Sequence, residues 1–124
     1  MEAVKLERID HVQLAMPAGE EGKARRFYSD LLGIPEVPKP QILAVRGGVW
    51  FENNNIRVHL GVDPNFIPAK KAHPAFQVSD LRALIKCLRN AEVEIVEDDL
   101  LSGYSRIYVN DPFGNRLELM EPHS

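Results

Sequence analysis

The chain has 124 residues, 44% of them apolar and 27% charged, with a net charge of −3. That length makes one domain with room for a core; the acidic balance excludes nucleic acid, whose phosphates need a clustered basic surface, and no apolar run approaches the roughly 18 residues of a membrane span. The charged stretch Met1–Asp10 does not read as a secretory signal, and the lone Cys87 forms no internal disulfide, so a cytoplasmic protein working on a small molecule is the expectation.

In the stretch that begins Ile9-Asp10-His11, Val12, Leu14 and Met16 alternate with His11, Gln13 and Ala15, the period of a strand. Pro17, Ala18 and Gly19 break it, and from Glu20 to Leu32 the apolar residues Ala24, Phe27, Tyr28, Leu31 and Leu32 form a helical stripe. Glu20 and Glu21 favour the start of that helix and Gly33 its end. Prolines at 35, 38 and 40 predict a loop. Three short strands are expected next, at Gln41 to Arg46, Gly48 to Glu52 and Ile56 to Val62, the last two joined by an Asn-Asn-Asn turn.

Asp63 to Ala72, with two prolines, reads as a hinge, and the same order of elements then returns. His73 to Val78 alternates as a strand. Ser79 or Asp80 can cap a helix running to about Ala91, with Leu81, Leu84, Ile85 and Leu88 on its apolar stripe and Cys87 beside it as a partly buried thiol. Strands are expected at Glu92 to Glu97, Ser105 to Val109 and Arg116 to Met120, with the turn Asp111-Pro112-Phe113-Gly114-Asn115 between the last two.

The reading is therefore α+β: a single domain, 1–124, of two βαβββ modules (about 8–62 and 73–121) whose sheets form a curved mixed trough with helices outside. Alternation decides which residues face the trough. If Val12, Leu14 and Met16 pack on the helix, His11 and Gln13 point inward; Val58 and Leu60 do the same for Arg57 and His59, and Leu117 and Leu119 for Arg116, Glu118 and Met120. His11 and His73 open their modules, while His59 and Glu118 lie in the closing strands at nearly matching separations. His and Glu bind Zn²⁺, Fe²⁺, Mn²⁺ and Ni²⁺, so four such residues on one inner face are a candidate metal set.

The stretches Ile9-Asp10-His11-Val12, Arg26-Phe27-Tyr28-Ser29-Asp30-Leu31-Leu32-Gly33, His73-Pro74-Ala75-Phe76 and Asp111-Pro112-Phe113-Gly114-Asn115-Arg116-Leu117-Glu118 together resemble the vicinal oxygen chelate superfamily, which holds glyoxalase I, bleomycin resistance proteins and extradiol dioxygenases. The resemblance spans nearly the whole chain. It implies a homodimer, often with a site completed across the dimer interface, and a divalent metal held by His11, His73 and Glu118. His59 falls where bacterial glyoxalase I-like enzymes have a carboxylate, and it is counted as a fourth ligand or else as a wall of the pocket. That departure leaves Glu118 as the one metal-bound carboxylate able to move a proton. Three neutral imidazoles and one carboxylate around a divalent ion carry a formal charge of about +1, suited to an anionic ligand bound through two oxygens.

Arg57 and Arg116 each lie two residues from a candidate ligand, to clamp an anionic substrate or to be paired at the rim; a salt bridge to Arg116 is the bland reading of Glu118. Of Trp50 and Phe51 one is core and one lines the pocket, and Trp50 and Gln13 are counted with the substrate-binding residues. The expected function is a metal-dependent lyase, isomerase or epimerase step on a small oxygenated substrate, with Glu118 moving the proton. Alternatives are Fe²⁺-dependent ring cleavage by His11, His73 and Glu118 as a facial triad, or sequestration of a small molecule without turnover. Glycine-rich phosphate loops, paired cysteines and nucleophile elbows are absent.

Overall fold

The structure, a computed structural model, describes residues 3–123. Its first half runs β1 (Val12–Met16), α1 (Glu21–Ala24), which continues as a wider π-type turn over Arg25–Leu31, β2 (Glu36–Val37), α2 (Gln41–Ala44), β3 (Val49–Asn53) and β4 (Ile56–Val62). The second runs β5 (Ala75–Gln77), α3 (Leu81–Asn90), β6 (Val96–Glu97), β7 (Tyr104–Asn110) and β8 (Arg116–Pro122). Each half makes one mixed four-stranded sheet, ordered β1-β4-β3-β2 and β5-β8-β7-β6. First and last strands are parallel and neighbours, Gln13 beside His59 and Ala75 beside Glu118, which a crossover through the helix permits and a hairpin would not.

The expected faces are found. Met16, Val49, Phe51, Val58 and Leu60 in one half, with Ile107, Val109, Leu117 and Leu119 in the other, are buried in a core shared with Phe27, Tyr28, Leu81 and Leu88 of the helices. Helix α3 starts where Asp80 accepts a 3.0 Å bond from the Ala83 amide. The wide turn in α1 shows in the 3.0 Å bond from Leu32 N back to Phe27 O; it lets the adjacent Phe27 and Tyr28 both face inward.

Two expectations are corrected in the first half. Gln41 to Arg46 is not a strand: after Pro40 the chain makes the helical turn α2, whose Ile42 and Val45 stay exposed. The strand that pairs with β3 is Glu36–Val37, inside the proline segment read as loop. Prolines on both sides hold it to two residues at the sheet edge, where a missing N–H costs least. Strand β3 starts one residue later than expected because Gly48 (φ +85°) passes so close to β4 that a Cβ there would lie 2.2 Å from the Leu60 carbonyl oxygen. In the second half Glu92 closes α3 at φ 60° and only Val96–Glu97 of Glu92 to Glu97 pairs. Cys87, expected partly buried, is exposed. No helix among the described residues is long and apolar enough to cross a membrane.

The halves are joined by buried polar contacts as well as core. Tyr28 donates from its hydroxyl to Asp111 Oδ2 at 2.6 Å, across 83 residues of sequence. Asp111 also accepts from the amides of Phe113 and Asn115 and from Asn115 Nδ2, which gives its other proton to the Ala15 carbonyl at 2.8 Å. Burial, then the neighbouring Asp111 charge, push the Tyr28 phenol well above its ordinary value, so it remains a donor. Tyr28→Phe is expected to lower the urea unfolding free energy by about 1.5–3 kcal/mol, the usual worth of a hydrogen bond to a charged group; a change under about 0.5 kcal/mol would remove this bond from the account of how the halves are held.

Candidate metal and substrate site

Strand pairing places His59, Gln13 and Trp50 side by side on the inner face of the first sheet, since Gln13 on β1 and Trp50 on β3 are both register partners of His59 on β4. Arg57 and Glu52, one pair along, share that face. The His59 ring, 5% exposed, is sandwiched: the Trp50 indole stacks on one side at 4.0 Å between centroids and 4° between planes, and the His11 ring on the other at 4.3 Å and 21°. Its Nε2 bonds Glu52 Oε2 at 2.8 Å. His11 bonds Asp10 Oδ1 through Nδ1 at 3.0 Å, and Arg57 reaches Asp10 Oδ2 at 3.1 Å. The bond from His11, and with it the charge of Arg57, hold the Asp10 carboxyl below its ordinary value against the opposing pull of desolvation. Arg57 is thus paired at the rim.

The second sheet repeats the plan with different chemistry. Tyr108 on β7 is the register partner of Glu118, and Arg106 that of Met120, so all four face inward. His73 Nε2 lies 2.9 Å from Glu118 Oε1, Arg106 Nη1 lies 3.3 Å from Glu118 Oε2, and Arg106 Nη2 continues to Asp98 at 3.2 Å. The Tyr108 ring meets His73 edge-on at 5.3 Å. The Arg116 guanidinium does not pair with Glu118; it lies over the Tyr108 ring at 4.1 Å.

Two inner-face groups escaped the sequence reading, Glu52 and Arg106. Alternation could have found both, as Glu52 follows Trp50 by two residues and Arg106 precedes Tyr108 by two. The structure therefore brings His11 to His59, and His73 to Glu118, as two separate pairs. Among the described residues no three His, Cys, Asp or Glu side chains come together as a metal-sized group.

The hydrogen bonding tests whether these pairs suit a metal. His73 Nδ1 is 2.8 Å from the Lys71 carbonyl oxygen, which only accepts, so Nδ1 carries a proton. In the neutral ring Nε2 then holds a lone pair aimed at Glu118 Oε1. Two acceptors rest 2.9 Å apart only with a positive centre between them, a proton or a metal ion in its place. His11 is set the same way, with Nδ1 turned to Asp10 and Nε2 left for a ligand role. His59 likewise has its Nε2 on a carboxylate, that of Glu52. His73 and Glu118 present donor atoms of the kinds a divalent cation takes, while His11 and His59 stand apart from them among the described residues of one chain.

Residues 8–119 match the model of the Glyoxalase/Bleomycin resistance protein/Dioxygenase superfamily. The chain belongs to that superfamily. It is 45% identical to a glyoxalase family protein from Bacillus anthracis whose crystal structure superposes with a TM-score of 0.93, over 98% of this chain and 99% of that one. A glyoxalase/dioxygenase from Nostoc punctiforme (17% identity, TM-score 0.80, 100% and 99% covered) has the same fold. So does the genomically encoded fosfomycin resistance protein FosX from Listeria monocytogenes (16% identity, TM-score 0.76, 94% of each chain). No curated protein matches the sequence. The paired βαβββ architecture is that of glyoxalase-family proteins.

Burial pushes the Glu118 carboxyl up, but the bonds from His73 and Arg106 outweigh it and hold the group below its ordinary 4.5. A carboxyl lowered on folding stabilises the folded state above its unfolded value, and that contribution is lost as pH falls through the folded one. In EDTA-treated protein, the urea stability of wild type relative to Glu118→Gln is therefore expected to decline as pH falls below 4.5. A difference that persists undiminished at lower pH would contradict the arrangement.

Proposed function

We propose that this superfamily member is a metal-dependent enzyme of the glyoxalase-like group, carrying out a lyase, isomerase or epimerase step on a small oxygenated substrate. The observation that carries the reading is the His73–Glu118 pair, with Nδ1 of His73 directed at the Lys71 carbonyl and Nε2 facing the carboxylate, where a proton or a metal ion can sit between them. His11, presented by Asp10, would supply the third ligand. The reading includes a homodimer in which His11 of one protomer faces His73 and Glu118 of the partner subunit. Supporting it, β1 and β5 are edge strands of their sheets, and Val4, Leu6 and Ile9 in the segment before His11 are 81–101% exposed, apolar side chains that no described residue covers.

A divalent metal bound there would supply Lewis-acid polarisation of the substrate's two oxygens. The chain's residues do the rest. Glu118 accepts the proton beside the polarised carbonyl and returns it; Arg106 fixes the second carboxylate oxygen and so the orientation of the first. Tyr108 closes the site beside His73, while His59 and Trp50 form a flat wall in the first half. One observation favours a second reading. With His59 held by Glu52, the remaining two histidines and one carboxylate are the set of ring-cleaving Fe²⁺ enzymes.

Metal analysis of purified protein is expected to give one divalent ion per protomer, and His73→Ala or Glu118→Ala to weaken it at least about 100-fold, beyond what loss of an outer partner costs. Mixing inactive His11→Ala and Glu118→Ala chains should restore one intact site per dimer; no recovery after exchange would sink the shared site. Turnover of a methylglyoxal–thiol adduct supports the first reading and oxygen uptake with catechols the second. Metal-loaded protein that binds such compounds without turning them over would instead make it a sequestering protein.

A further inference from the structure

The helical turn α2, absent from the expected pattern, encloses a cavity of about 250 Å³ at the far end of the first sheet's inner face. Gln13, Lys39, Leu43, Arg46, Trp50 and Gly61 line it. Trp50 joins it to the candidate metal site, since the same indole stacks on His59. Gly61 follows His59 by two residues on β4 and so shares its face. A Cβ at Gly61 would lie 2.6 Å from Gln13 Nε2, so glycine is what lets that amide lie across the sheet floor. The matching position in the second half is Met120, the partner of Gln77 as Gly61 is of Ala15, and no helical turn covers it. The duplication has thus been broken on one side only, and the broken side holds the cavity.

Its charge is one-sided. Lys39 and Arg46 line the cavity and no Asp or Glu does. The Glu21 carboxylate, behind Gly47, accepts from the Gly48 amide at 2.9 Å, and the two lining cations outnumber this one nearby anion. Lys39 Nζ gives one hydrogen to the Gly47 carbonyl and keeps two, and Arg46 makes no ion pair among the described residues. Such a cavity is smaller than the roughly 300–1,000 Å³ of a whole ligand site, so it suits one end of a molecule whose remainder reaches His59.

We propose that this cavity receives an oxyanion, carboxylate or phosphate, at the end of the substrate remote from the reacting oxygens. The proposal rests on the reading of the inner face as a substrate site. Arg46 supplies a planar fork and Lys39 a point charge to the oxyanion, the Gln13 amide adds a neutral donor, and Leu43 and Trp50 pack on the carbon chain between. Neutral dicarbonyl compounds would then be poor substrates beside anionic ones of the same length.

Trp50 is the sole tryptophan, so its emission reports the cavity. EDTA-treated protein titrated with inorganic phosphate and with acetate, at constant ionic strength, is expected to show a saturable change with at least one of them. The stronger anion identifies the terminus. Lys39→Gln/Arg46→Gln should weaken that binding at least about tenfold, exposed Arg46→Gln alone by less, and Lys86→Gln on α3 not at all. Absence of saturation in wild type, or equal affinity in the double variant, overturns the subsite. Metal content is measured on the same preparations before EDTA treatment: anion binding absent with metal present removes the subsite alone, and metal absent with anion binding present removes the metal reading alone.

Discussion

The buried carboxylate of Asp111 is the contact on which the arrangement of the two modules depends. It gathers the Tyr28 hydroxyl from α1, two amides of its own turn and the Asn115 side chain, which in turn holds the Ala15 carbonyl of β1. A buried carboxylate left without donors is costly; its own turn supplies three of them, and the fourth, the Tyr28 hydroxyl, ties that turn to the first module. Asn115 leads directly into Arg116 and Glu118, and Ala15 lies four residues beyond His11. One polar cluster thereby fixes the starting points of the strands carrying candidate ligands from both halves. Core packing alone would tolerate small sliding between modules; directional bonds of 2.6–2.9 Å do not.

Duplication explains why the site is built of matched positions, and divergence explains its chemistry. By strand register His59 answers to Glu118, Arg57 to Arg116, and Trp50 to Tyr108. In both halves an aromatic ring stands against a histidine: Trp50 lies flat on His59, whereas Tyr108 meets His73 edge-on. The arginines have diverged in partner while keeping their place, Arg57 to Asp10 and Arg116 to the Tyr108 ring. A flat aromatic wall on one side and a carboxylate with its cationic support on the other give an asymmetric trough, which is what a site must have to orient a substrate.

Much of this was legible in the sequence because strand alternation is rigid. Once Met16, Leu60 and Leu117 were placed in the core, the inner placement of Gln13, His59 and Glu118 followed, and the structure agrees. Gln41 to Arg46 misled because its apolar residues Ile42, Leu43 and Val45 imitate a strand, while Pro40 before it and two left-handed glycines after it impose a helical turn that no sheet neighbour overrides. The short strand Glu36–Val37 was hidden by its prolines, which forbid a central strand but not an edge one. Side-chain partners were the least legible. Glu118 pairs with Arg106, a diagonal neighbour on the adjacent strand, rather than with Arg116 two places along its own, whose guanidinium lies over the Tyr108 ring instead.

The same geometry resolves the puzzle of a histidine where related enzymes carry a carboxylate. The carboxylate is present but displaced: Glu52 on β3 reaches His59 across the hairpin and engages its Nε2. On the proposed function the first module contributes His11 as donor and the His59–Glu52 couple as a polar wall. The second module keeps the carboxylate with its lone pairs directed inward and an arginine behind it. On the proposed function, acid–base work falls to one half and shape to the other. Superfamily membership sets the scaffold, and the hydrogen bonds of Glu52 and Arg106 set the two halves apart.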